Sequence, residues 1–497
     1  MVGTFWALVP PLVAIILALI TKEVYSSLFI GIVIGGFFFA SGSPVGAMNH
    51  VISDGFVSVL SDSWNVGILI FLVLLGAMVC LLNKAGGSAA FGKWAMTHIK
   101  SRVGAQLVTI LLGCIIFVDD YFNCLTVGSV MSPVAREHNI SRAKLAYLID
   151  STAAPICIIA PISSWAAAVT GFVDGTDGLT LFISAIPYNF YALFTLVFMI
   201  GIVVTRVDYG PMARDEREAI AEILEKKEEA KDENLAKGKV IDLILPIVVL
   251  IVACVCGMIY TGGFFSGESF VSAFANSDAS VGLVIGSSIA VIITIIFLLA
   301  RRVISFKDSM SSLVEGFNAM VPAILILTFA WTLKAMTDSL GAKEFVSGIV
   351  QSNAQGFAFL LPAIIFVIAC FLAFSTGTSW GTFGILIPIV VSVFQGTDPQ
   401  MMIISISACM AGAVCGDHCS PISDTTIMAS AGAQCDHVEH VSTQLPYAIT
   451  VAAISFVTYV LAGIVKSAVI CLPFGIILVA LTLFVMKKRF GRNESAA

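Results

Sequence analysis

The chain has 497 residues, 58% of them hydrophobic and only 12% charged, with a mean hydropathy of +0.99. A soluble fold of this length has no interior large enough for that much apolar surface, so the composition excludes one and points to an all-α polytopic membrane protein. The net charge of −6 says little, because orientation in a membrane depends on where Lys and Arg fall rather than on their sum.

In chain order, apolar runs near 5–20, 24–40, 64–83, 143–170, 179–205, 241–260, 281–300, 319–337, 400–433, 447–465 and 468–486 read as spans. The first run is followed by others and lacks a small-residue cleavage site, so it reads as a span and not as a removable signal. Two further apolar stretches, 103–134 and 358–395, are interrupted midway by polar residues. Basic clusters at Lys84, Lys93, Lys100 and Arg102, at Arg136, Arg142 and Lys144, at Arg301, Arg302 and Lys307, and at Lys487, Lys488, Arg489 and Arg492 should share the cytoplasmic side. They share it if both interrupted stretches are re-entrant hairpins, one entering from each side. Eleven crossings with the N-terminus outside and the C-terminus inside then put 23 of the 26 basic residues inside, leaving out Lys334, Lys343 and Lys466. Gly31 and Gly35, four apart, predict close helix packing in the scaffold or a dimer. The twelve cysteines lie almost all in apolar runs and read as small buried hydrophobes.

Residues 206–239 hold eight basic and ten acidic residues and read as a solvated cytoplasmic linker helix. The chain then divides into 1–205, a linker at 206–240, a second unit at 241–465, and a further span with a tail at 466–497. The two units resemble each other. Asp54-Gly55-Phe56 recurs as Glu315-Gly316-Phe317, and Ala160-Pro161-Ile162-Ser163-Ser164 as Ser420-Pro421-Ile422-Ser423-Asp424, 261 and 260 residues later. Five crossings per unit make them inverted repeats.

The sequence GDHCSPISDTT at 416–426 interrupts an apolar run. Pro421 removes a backbone donor and Gly416 lets the chain bend, so 400–433 is expected to be two half-helices with an unwound link. STAAP at 151–155, continuing to Pro161, is the matching break. Each link is expected to face a hairpin tip, VDDYFN at 118–123 or STGTS at 375–379. Carboxylates, hydroxyls and free carbonyls are hard oxygen ligands suited to an alkali cation, and ionisable groups at membrane depth are functional candidates. Asp119 or Asp120 with Asn123, Ser163 and Ser164 forms one expected site, with Asp119, Asp120 and Asn123 as sodium ligands. Asp417, Asp424, Ser375, Thr378 and Thr425 line the other half, with Thr376, Ser379, His418 and Ser423 alongside. Plainer roles exist for several of these. Asp119 or Asp120 would cap a half-helix, Asp150 would join two helices, and His418 would donate to a neighbouring carbonyl. CDHVEH at 435–440 reads as a solvated loop rather than a metal or pH patch.

FVDDYFN at 117–123 and GDHCSPISDTT at 416–426, with HVEH at 437–440, resemble the NhaC-type sodium/proton antiporter family. The resemblance implies two inverted repeats with re-entrant hairpins and broken helices, an elevator motion and a homodimer. It also implies a location in a bacterial inner membrane. Burial and a like neighbouring charge favour a neutral carboxyl, whereas bound sodium favours the ionised one, so proton and sodium compete for the same oxygens. The expected function is therefore sodium/proton antiport. The alternative is a sodium- or proton-coupled carrier of an amino acid or small carboxylate, of the malate/lactate type. No enzymatic role, no cofactor beyond the transported ions and no nucleic-acid partner is expected; the partners are lipid and a small cation or organic solute.

Overall fold

A computed structural model describes residues 3–21, 23–117, 120–161, 163, 165, 169, 178–229, 238–342, 344–345, 358–394 and 398–490. Among them every regular element is a helix. The principal ones are α1 (Val9–Thr21), α2 (Val24–Phe39), α3 (Ser63–Lys84), α4 (Arg102–Ile115), α5 (Asp120–Glu137), α6 (Arg142–Asp150), α7 (Ala154–Cys157), α8 (Phe190–Thr205) and α9 (Gly210–Glu229). They continue with α10 (Ile241–Thr261), α11 (Ala279–Ala300), α12 (Phe306–Ser339), α13 (Leu361–Thr376), α14 (Ser379–Phe394), α15 (Pro399–Cys419), α16 (Asp424–Ala433), α17 (His437–Val465) and α18 (Ala468–Phe490). Among the described residues, six helices are long and apolar enough to cross a membrane, or eight when two bent pairs each count as one span.

The two sequence halves interleave. The first helix group packs α3 against α11 and α12, α12 against α2, and α10 against α11. The second packs α15 against α13, α14 and α17, and α18 against α8 and α17. Gly31 and Gly35 belong to the first group. A Cβ at either position would press on Pro10 and Ala14 of α1 or on Met336 of α12, so the pair serves packing within the chain. Exposed side chains such as Ile296, Val469 and Phe484 coat the outside, where lipid would meet them.

Both interrupted stretches fold back on themselves. α4 ends at Ile115 and α5 begins at Asp120; α13 closes on Gly377, whose φ of 65° suits a residue without a side chain, and α14 begins at Ser379. Both predicted breaks are present. α6 stops at Asp150, a short turn follows, and Pro155 opens α7. α15 stops at Cys419, the chain unwinds through 420–423, and Ser423 caps α16 by accepting the Thr426 amide at 3.1 Å.

Two expectations are corrected. Gly416 does not bend the helix. α15 runs through it, and its missing side chain lets α15 lie against the backbone of Cys370 and Phe374 in α13. Lys144, from the second basic cluster, is buried against Asp208. The linker is not wholly a solvated spacer either. α9 buries Met212 and Glu216, and Glu216 pairs with Arg102 and accepts the Ser141 amide at 2.9 Å.

Candidate functional site

The hairpin tip of α4 and α5 enters between the two helix breaks. α5 starts with Asp120, which is fully buried. One of its oxygens accepts the Trp165 indole N–H at 3.1 Å, and the other accepts the Thr425 hydroxyl at 2.9 Å. The next residue, Tyr121, donates to Asp424 Oδ2 at 2.6 Å. Asn123, one turn on, points its amide at the carbonyls of Gly113, Ile116 and Thr152, at 2.7, 2.7 and 3.1 Å. The first two are carbonyls left open at the C-terminus of α4, and the third lies in the first break, so Asn123 holds the tip against it. Its side-chain oxygen is buried without a hydrogen-bond partner among the described residues.

Asp417, in the last turn of α15, is fully buried. Neither of its oxygens makes a well-formed hydrogen bond, although Ser423 lies beside it, and the carboxyl groups of Asp424, Asp150 and Asp120 lie around it. The second hairpin tip packs on the same link. A Cβ on Gly377 would strike the Ile422 carbonyl, and Ser420 donates to the Phe374 carbonyl at 2.7 Å. The second tip thus abuts the link between α15 and α16 at Ile422, and the first tip abuts the first turn of α16 at Thr425.

Several predicted hydroxyls bond to backbone. Ser163 donates to the Cys157 carbonyl at 2.8 Å, Thr376 to Leu372 at 2.8 Å and Ser379 to Ala413 at 3.2 Å. Each keeps oxygen lone pairs that could face a cation. Thr378 caps the start of α14 through the Gly381 amide at 3.5 Å, and Ser375 is buried with no partner among the described residues. Asp119 and Ser164 lie outside the described residues.

The two breaks also meet directly. His418 Nε2 donates to the Asp150 carbonyl at 3.0 Å, the plain role foreseen for it, and its Nδ1 faces the Tyr191 hydroxyl at 3.2 Å. The Asp150 carboxylate accepts from Thr426 at 3.2 Å, His440 at 3.2 Å and Gln444 at 2.7 Å. Gln444 also donates to the His418 carbonyl at 2.7 Å, and His437 to the Pro421 carbonyl at 2.7 Å. CDHVEH is therefore no solvated loop. His437 and His440 are buried in the first turn of α17. His437, His440 and Gln444 fall at helical spacing on one face, a signal present in the sequence. Tyr121, Trp165 and Thr426 carried no comparable signal; only the tertiary fold brings them to the carboxylates.

A family model described as the Na+/H+ antiporter family matches residues 157–464. The chain belongs to the Na+/H+ antiporter family. It is a multi-pass membrane antiporter, a transporter and not an enzyme. The match includes the second break and α17 up to residue 464; the tip of α4 and α5 lies N-terminal to it. The chain is similar to an uncharacterized protein of Haemophilus influenzae, with 39% identity over 98% of this chain and 96% of that one. Over about a third of each chain it is similar to two others. One is a malate-2H(+)/Na(+)-lactate antiporter of Bacillus subtilis, 27% identical over 32% of this chain and 33% of that one. The other is an uncharacterized Na(+)/H(+) antiporter of Haemophilus influenzae, 32% identical over 32% and 33%.

Proposed function

We propose that this antiporter exchanges sodium for protons at a pocket formed by Asp120, Asp417, Asp424 and Thr425. One observation carries the reading: among the described residues, no Lys or Arg side chain pairs with any of these buried carboxylates, and their hydrogen-bond partners are an indole, hydroxyls and an amide. Buried carboxylates without a counter-charge need a cation or a proton, and the two cannot occupy the same oxygens together. Ser375, Thr378 and the free Asn123 oxygen extend the set of candidate ligands.

Alternating exposure would come from displacing the hairpins and broken helices as a unit, in an elevator motion between inverted repeats 1–205 and 241–465. Reciprocal contacts support the repeats. A side chain on Gly55 would meet Met336, and one on Gly316 would meet Gly76, with Gly316 261 residues after Gly55 and Met336 260 after Gly76. In the same way Asp120 meets Thr425, while Trp165 meets Trp380 at 5.9 Å between ring centres. Adding α1, α2 and the broken run through α6 and α7 to the eight longer spans makes eleven, with the N-terminus outside and the C-terminus cytoplasmic. A homodimer in a bacterial inner membrane completes this picture.

A second reading, antiport of a small organic solute such as a monocarboxylate or amino acid, is favoured by the similarity to the malate/lactate exchanger. The missing basic partner argues against a dicarboxylate. Proteoliposomes with a trapped pH dye separate the readings. A sodium pulse that moves protons with no organic solute present supports the first. Silence until an organic acid or amino acid is added overturns it in favour of the second.

A further inference from the structure

We propose that His440 is the seat of a second exchanged proton, coupled to the cation pocket through Asp150 and the first turn of α16. The inference rests on the sodium/proton reading above. Its basis is geometric. His440 is fully buried, its Nε2–H points to Asp150 Oδ2 at 3.2 Å, and its Nδ1 has no hydrogen-bond partner among the described residues. A neutral imidazole with one nitrogen on a carboxylate and a bare second nitrogen is a proton acceptor whose product is an ion pair. Protonation at Nδ1 forms one N–H bond with a proton taken from water, and it neutralises the buried Asp150 charge without moving either side chain.

The coupling runs through three consecutive residues. Asp424 accepts from Tyr121, Thr425 donates to Asp120, and Thr426 donates to Asp150. One helical turn therefore touches both the cation pocket and the Asp150–His440 pair. Sodium that only displaces a pocket proton leaves the pocket's charge unchanged, whereas sodium held among carboxylates already ionised adds a positive charge that disfavours the imidazolium. The Nδ1–H bond then breaks and the proton returns to water, so one proton leaves His440 in addition to any that sodium displaces from the pocket.

Among the described residues, the titratable groups facing His440 from other helices are Asp150 of α6 and His418 at the end of α15. His437 and Glu439 share its own helix, and Asp215 of α9 approaches Glu439 rather than the imidazole. α8 offers Tyr191 through His418. α1 and α13 carry no charged residue, and α18 carries charge only in its last turn.

The test compares the unaltered protein with His440→Gln, which can still donate to Asp150 but cannot accept a proton, and with Asp150→Asn. Sodium is added to purified protein in weakly buffered detergent with a pH dye, and bound sodium is counted with a radioactive tracer. The expected result is one proton fewer released per bound sodium in H440Q, with sodium still bound and a flatter pH dependence of exchange. Undiminished release in both variants overturns the role of His440 while leaving sodium/proton exchange intact. No release from the unaltered protein overturns the exchange reading, and this inference with it. If the variants fail to fold, infrared difference spectra of the unaltered protein with ring-labelled histidine decide the matter. An imidazolium band lost on sodium addition supports the proposal, and sodium-driven proton release without any histidine change overturns it.

Discussion

The Thr425 hydroxyl donates to Asp120 across 2.9 Å, although 305 residues separate the two in sequence. This bond ties the tip of the first hairpin to the first turn after the second helix break. It places the carboxylates of both halves around one region.

Removing the charge at that junction should stop transport. Asp120→Asn and Asp424→Asn are each expected to abolish sodium-driven proton movement while the protein still purifies as a folded species. Circular dichroism and size-exclusion profiles check the folding, and the trapped-dye assay checks the flux. A normal rate in either variant would remove that residue from the pocket.

Thr425→Val keeps the shape but removes a donor to Asp120. Losing a hydrogen bond to a charged group costs about 1.5–3 kcal/mol, so sodium affinity should shift by roughly 10- to 150-fold. The direction tells which species the hydroxyl serves. Weaker sodium binding means that its oxygen faces the ion; tighter binding means that it competes with the ion for Asp120. An unchanged affinity would exclude Thr425 from the pocket.

Gly377→Ala tests the second tip. Its positive φ is strained for any residue with a side chain, by roughly 1–2 kcal/mol, and the new methyl would meet the Ile422 carbonyl. Thermal midpoint and transport should fall together. Gly42→Ala is the control, with a positive φ but nothing within 4 Å of the added carbon, and its loss should be smaller.

The docked linker predicts an acid-sensitive clasp. Burial alone would push the Asp208 carboxyl up, but Lys144 beside it and the Tyr447 hydroxyl at 2.6 Å outweigh that and hold it below the usual carboxylate range. A carboxylate depressed in the folded state stabilises above its unfolded value near ~4, and this contribution disappears as pH falls through the lower folded value. Asp208→Asn leaves Lys144 buried and unpaired, at a cost of about 3–5 kcal/mol near neutral pH. The gap in thermal midpoint between unaltered protein and D208N should therefore narrow on acidification below about pH 4. A constant gap across that range would contradict the pairing.

Pro421 and the polar residues around it announced a helix break, because a proline at membrane depth cannot continue the ladder of backbone hydrogen bonds. The folded-back stretches were legible from the placement of Lys and Arg. The partners of each break were not legible. That Asp120 faces Thr425, and that Asp150 gathers His440, Gln444 and Thr426, depends on how distant helices pack rather than on local pattern. CDHVEH misled because polar composition reads as solvent exposure until its buried counterparts, Asp150 and the Pro421 carbonyl, are seen. Gly416 was assigned flexibility, whereas its missing side chain serves the close approach of α15 to α13.

Competition between sodium and protons for the pocket is tested most directly by equilibrium sodium binding to the purified protein across a pH series. The apparent affinity should weaken as pH falls, approaching about tenfold per pH unit for one-for-one displacement, and the dependence should vanish together with binding in D120N. Sodium affinity that ignores pH, or that survives unchanged in D120N, would contradict it.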